Sequence, residues 1–149
     1  MKTWEDVHDE IEEVTSDKEM ARSILKMVEV RERELESKDK KEFTSLAVED
    51  YYEIIKEGIT AVMAVDGRKT LSHDALVVYL KEFYKQFSES ETMLADQLRK
   101  LRNKIAYKGF FVEYDFLERN ESNIKEIISK LKEILNERLT EQKDVDRGR

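Results

Sequence analysis

Apolar residues recur along most of this chain at intervals of three and four, the spacing that gathers them on one face of an α-helix. The first such stretch, Trp4, Val7, Ile11 and Val14, predicts a helix over about 3–14 with Thr3 as its cap. Thr15-Ser16-Asp17 interrupts the pattern, and Asp17 is placed to cap a second helix running to about Ser37 on the stripe Met20, Ala21, Ile24, Leu25, Val28 and Leu35. Lys38-Asp39-Lys40-Lys41 is a polar connector. A third helix, about 41–65, carries apolar residues on several faces (Phe43, Leu46, Ala47, Tyr51, Ile54, Ile55, Ile59, Val62, Met63), the mark of the most enclosed member of a bundle. Asp66-Gly67 ends it, and Ser72 caps a fourth helix over about 73–88. Ser88-Glu89-Ser90 forms a joint before a fifth helix, about 91–107, with the stripe Leu94, Leu98, Leu101 and Ile105 and a stop at Gly109. The aromatic stretch Phe110–Leu117 predicts an ordered turn or short helix over the bundle end. A last helix spans about Ser122 to Leu139.

The fold class this implies is all-α: an up-and-down antiparallel bundle of five to six helices. It forms a single domain over 1–140, followed by a polar, flexible tail over 141–149. Composition sharpens this in one respect. The 149 residues include no Pro and only four Gly, so few breakers interrupt the helical periods, and 41% of the residues are charged. The absence of Cys removes any disulfide framework or thiolate metal site and fits a cytoplasmic location. No signal peptide is expected, and no apolar run approaches the roughly eighteen residues of a membrane-spanning helix. A net charge of -7 argues against bulk binding to duplex DNA, which depends on neutralising many phosphates.

Against that acidic background one segment stands apart. Leu98–Phe110 holds five Lys/Arg (Arg99, Lys100, Arg102, Lys104, Lys108) and no Asp or Glu. At 100° per residue, Arg102 falls on the shoulder of the apolar stripe, while Asn103 and Tyr107 share the opposite face. A helix C-terminus favours cations, which accounts for Lys104 and Lys108 but less well for an Arg beside the core. The other candidate chemistries are thin. Glu5-x-x-His8 has the spacing of half a di-iron site, but the only other histidine, His73, follows Thr70 by three, so no metal site is expected. Ser72-His73-Asp74 holds the residue types of a catalytic triad, yet sequence neighbours on a helix point in different directions. A Ser cap followed by a first-turn His is the simpler reading.

Leu101-Arg102-Asn103-Lys104-Ile105-Ala106-Tyr107, followed by a final apolar helix, resembles the signature region of HEPN domains. The long helix with the Tyr51-Tyr52 pair, leading into Gly58-Ile59-Thr60-Ala61-Val62, and the Leu71-Ser72-His73-Asp74 helix start are similar to features found in the same order there. The likeness covers about residues 17–139. It implies a homodimer joined through the Arg-bearing helices, acting on RNA without metal or cofactor, often beside a minimal nucleotidyltransferase partner. In that family an Arg and a polar residue are followed a few residues later by His. Arg102 and Asn103 match the first two, and Tyr107 stands in the place of the His. Tyrosine titrates near 10 and is a poor base at pH 7, so its presence there removes an acid–base contribution of roughly 10² to 10⁴-fold.

Two functions are compatible with these residues. In one, the chain is a catalytically reduced HEPN-like dimer that binds RNA or a nucleotide phosphate, or docks a nucleotidyltransferase, through Arg102 and Asn103 with Arg99, Lys100, Lys104 and Lys108 nearby. In the other, it is a metal-independent endoribonuclease in which Arg102, Asn103 and Tyr107 are catalytic. A purely structural dimer is a third possibility. The missing His favours the first.

Overall fold

Short polar side chains set the helix starts. Asp17 accepts the Met20 N–H at 2.9 Å and opens α2, Lys18–Glu36. Ser72 accepts the Ala75 N–H and opens α4, His73–Phe83. Ser88 and Glu91 form a reciprocal capping box at the head of α5, Glu89–Lys108. Between these lies α3, Thr44–Asp66, which Gly67 closes in the left-handed conformation; Gly109 closes α5 in the same way. A short α1, Trp4–Val7, precedes them and a long α6, Tyr114–Arg147, comes last. The molecule, known here as a computed structural model, is described over residues 1–147, with side chains through Thr140. It is an all-α bundle with one small two-stranded antiparallel ribbon. Among the described residues no helix is long and apolar enough to cross a membrane.

Three expectations about element boundaries change. The helix expected over about 3–14 survives only as α1; His8–Glu10 is a 3₁₀ turn and Ile11–Glu13 is a strand, β1. It pairs antiparallel with β2, Arg68–Thr70, setting Glu12 opposite Lys69 and Glu13 opposite Arg68. A continuous helix would instead have stacked Glu5 on Asp9, Asp6 on Glu10 and Asp9 on Glu13, like charges four apart. The strand trades that repulsion for opposite charges across a ladder. Second, α4 stops at Phe83 rather than near Ser88, because Tyr84 leaves the helix and donates its hydroxyl to Asp66 at 2.7 Å. Third, the final helix begins at Tyr114, eight residues before Ser122, since no Gly or Pro breaks the chain between these two positions. Only residues 110–113 remain a connector, pinned where the Val112 N–H donates to Ser45 Oγ at 2.8 Å. The tail expected over 141–149 falls largely outside the description: the helical backbone of α6 reaches Arg147, the side chains beyond Thr140 are not described, and 148–149 lie outside the described residues.

The core centres on α3, which packs against α2, α5 and α6. Gly58 admits α6 closely; a Cβ there would sit 3.0 Å from Leu131 Cδ1. Two polar clamps fasten α6 to the rest. Asp66 accepts hydroxyls from Tyr79 (2.6 Å) and Tyr84 (2.7 Å) and pairs with Arg138 of α6. At the other end, Glu121 of α6 accepts the Tyr51 hydroxyl at 2.6 Å and pairs with Lys40 at 2.9 Å. The N-terminal segment lies across α4, with Val7 packed on Ala75 and Val78 and the Trp4 ring edge-on to Phe83 at 5.1 Å.

Candidate functional site

The cationic helix α5 turns two of its faces to different tasks. On the inner one, Arg99 is tied down inside the protein: Nη1 meets Asp74 Oδ1 at 2.8 Å and Nε meets Asp96 Oδ1 at 3.0 Å, leaving the side chain 15% exposed. Asp96 is buried and also accepts Lys100 Nζ at 3.3 Å, while Lys2 Nζ reaches the second oxygen of Asp74 at 2.8 Å. Lys2, then Arg99, hold the Asp74 carboxyl below the usual range against the opposing effect of burial. Arg99 and Lys100, expected among the phosphate contacts, therefore already have carboxylate partners. Lys104 sits over the Phe110 ring at 5.6 Å and Lys108 is exposed.

Arg102 is different. It is half-buried; its Nη1 donates to Asn103 Oδ1 at a long 3.4 Å, and its guanidinium lies 5.9 Å from the Tyr107 ring centroid. Among the described residues no carboxylate pairs with it. Of the three residues singled out in sequence, Arg102 thus lies against both Asn103 and Tyr107. Tyr107 itself is 77% exposed and, with Phe110 and Phe111 beyond it, leaves an apolar edge at the end of the helix. A phenol so placed offers a ring face and a hydrogen bond rather than a buried acid–base group.

Two further residues stand near the start of α4: His73, given by the sequence as a plain first-turn residue, and Tyr52, noted there only as half of the Tyr51-Tyr52 pair. His73, the first residue of α4, is half-buried, with its ring 6.0 Å from that of Tyr52 on α3. Burial, followed by the charges of Lys56 and Arg102, pushes the imidazole below its ordinary value; Glu53 opposes this and Arg99 adds to it. Tyr52 is buried (1% exposed) and its hydroxyl has no hydrogen-bond partner among the described residues. Burial pushes that hydroxyl up to about 12, with Arg99 and Arg102 opposing. An orphaned buried hydroxyl costs roughly 1–3 kcal/mol, so the site lowers the stability of the fold that holds it. No signal in the sequence separates Tyr52 from its neighbour Tyr51. His73 carried a weak one, being one of only two histidines.

Other concavities are less suited to chemistry. A cleft of about 760 Å³ opens beside α5 and α6, lined in part by Glu91, Asp96, Lys100, Asn120 and Lys130. Its charges are matched internally, Lys130 with Glu91 at 2.8 Å and Lys100 with Asp96, and Arg102 does not line it. His8 is exposed, and no metal-holding group of three His, Asp or Glu occurs among the described residues. No family model, curated protein or solved structure matches this chain.

Proposed function

We propose that this chain is an HEPN-like bundle that binds the phosphate of a single-stranded RNA or nucleotide through Arg102 and Asn103. The observation that carries the reading is the state of Arg102: a half-buried guanidinium beside the core, with no carboxylate partner among the described residues, next to an amide and an exposed aromatic ring. Guanidinium groups recognise phosphate in a fork geometry, and bases stack on exposed aromatic rings, so Arg102 and Tyr107 suit a nucleotide's two ends. Lys104 and Lys108 extend the cationic strip along α5. An exposed phenol in the position of the family's His favours binding over cleavage. Tyr107, Phe110 and Phe111 supply apolar surface for the homodimer, or for the nucleotidyltransferase contact, that the resemblance brings with it.

The test is binding of a labelled single-stranded oligoribonucleotide in EDTA, read by fluorescence anisotropy, with the RNA recovered on a gel afterwards. Arg102→Ala is expected to weaken binding at least about tenfold, the usual worth of a lost charge-assisted contact. Because few phosphates are engaged, the logarithm of affinity should fall gently with the logarithm of salt, by about 0.7 for each phosphate contacted. Equal affinity in wild type and Arg102→Ala would defeat the reading. RNA shortened by wild type and left intact by the variant would replace it with the ribonuclease reading.

A further inference from the structure

Tyr52 of α3, His73 of α4 and Arg102 of α5 belong to one corner of the bundle: the first two rings are 6.0 Å apart, and Arg99, one helical turn before Arg102, meets Asp74, the residue after His73, at 2.8 Å. The Tyr52 hydroxyl of α3 is buried and without an acceptor. The Arg102 guanidinium of α5 has no carboxylate among the described residues, only an amide oxygen and a ring face. The His73 imidazole stands in the first turn of α4, where backbone N–H groups also face outward and the helix dipole is positive. An oxyanion would satisfy all three at once. We propose that Tyr52, His73 and Arg102 of a single chain form the seat of a phosphomonoester, the terminal phosphate of an RNA or of a mononucleotide. This rests on the phosphate reading given above and narrows it to one kind of phosphate, held where α3, α4 and α5 pack together.

Charge and shape both select the monoester. The groups that act on His73 are Lys56 and Glu53 from α3 and Arg99 and Arg102 from α5, three cations against one carboxylate, with Asp74 beside it on α4. Arg99 is shared with Asp74 and Asp96, and Lys56 is paired with Glu53 at 2.8 Å, so Arg102 is the cation free to meet a dianion. A terminal phosphate brings a second negative charge and three unesterified oxygens, one each for the tyrosine O–H, the guanidinium and an imidazole N–H. A phosphate within a chain would have to carry a nucleoside on both sides past the buried Tyr52 ring. Seating the group requires the side chains over the Tyr52 hydroxyl to move aside, since that oxygen is closed off from solvent as they stand. Once seated, the dianion favours the imidazolium, so binding takes up a proton.

The deciding experiment compares one oligoribonucleotide with a 5′-phosphate and with a 5′-hydroxyl end, together with a nucleoside 5′-monophosphate and inorganic phosphate as competitors. Wild type, Tyr52→Phe, His73→Gln and Arg102→Gln are measured, and the His73 ring is titrated by NMR with and without the mononucleotide. Preference for the phosphorylated end by tenfold or more is expected in wild type and lost in Tyr52→Phe and His73→Gln, with His73 titrating at higher pH in the bound form. Competition by inorganic phosphate would show that the phosphate alone is read; competition by the mononucleotide only would add the nucleoside to the seat. Equal affinity for both ends, lost in Arg102→Gln, would overturn the seat while leaving RNA binding through Arg102 standing. A preference that survives Tyr52→Phe and His73→Gln would also overturn it. Binding of none of the four ligands would overturn both.

Discussion

Tyr51 and Tyr52 are neighbours on α3, equally buried, and opposite in what their hydroxyls do. The first donates to the Glu121 carboxylate at 2.6 Å; the second has no acceptor among the described residues. Removing the oxygen should therefore change stability in opposite directions. Tyr51→Phe loses a hydrogen bond to a charged group and leaves Glu121 with Lys40 alone, so it is expected to cost about 1.5–3 kcal/mol. Tyr52→Phe removes an unsatisfied buried group and is expected to gain about 1 kcal/mol. Urea unfolding midpoints, at unchanged slope, give both signs directly. If Tyr52→Phe unfolds more readily than wild type, a bonded role for that hydroxyl replaces the orphaned one.

At the scale of the element, the long helices are governed by local chemistry and the short pieces by what lies across from them. At Gly58 the α6 residue Leu131 lies so close to α3 that a Cβ would stand 3.0 Å from its Cδ1. Gly58→Val would drive two methyl groups into the buried Leu131 side chain, and overpacking of this kind costs about 1–3 kcal/mol or slightly more. Thermal unfolding should show the drop, with helix content by circular dichroism unchanged below the transition. The starts of α2 and α4 were legible in the sequence because Asp17 and Ser72 act within three residues of themselves, whereas Ser88, read as part of a joint, caps α5 two residues before its expected start. The stops at Gly67 and Gly109 were legible for the same reason. The two-stranded ribbon was not, because the spacing of Trp4, Val7 and Ile11 also fits a helix, and only β2, more than fifty positions away, supplies the opposing Arg68 and Lys69. Tyr84 left α4 for Asp66, an attraction equally invisible to helical spacing. The candidate site divides along the same line. Arg102, Asn103 and Tyr107 lie within one helix and could be grouped by spacing; His73 and Tyr52 join them only through the packing of α4 and α3 on α5.

For the whole molecule, the charge network sets a window of pH over which the fold is most stable. On the acid side, Lys40 bonded to Glu36 and Lys2 bonded to Asp74 hold those carboxyls below their ordinary values. Burial would raise Glu91 and Glu121, but Lys130 with the Ser88 N–H at the first, and Tyr51 with Lys40 at the second, outweigh it and lower both. The contribution of these four is present above the ordinary carboxylate range of about 4 and is lost as pH falls through the lowered values. On the alkaline side, burial raises the hydroxyls of Tyr51, Tyr52, Tyr79 and Tyr84, that of Tyr52 to about 12. That contribution is present below about 10 and is lost as pH rises through 10 towards 12 and beyond. Circular dichroism against pH should show a plateau from about 5 to 10 with loss on both sides. Phenolate absorbance should rise together with unfolding rather than ahead of it for the buried tyrosines. Ionisation of all four below about pH 10 without unfolding would contradict the clamps on Asp66 and Glu121. The enclosure of α3 has a further consequence for how the chain is made. Its partner α2 precedes it, but α6 begins at Tyr114, 48 positions after Asp66. At about 5–20 residues per second, a growing chain displays the uncovered side of its most apolar helix for several seconds before the covering helix starts to emerge. During synthesis this face is open to chaperones and to other nascent chains, an exposure that ends when α6 packs on α3.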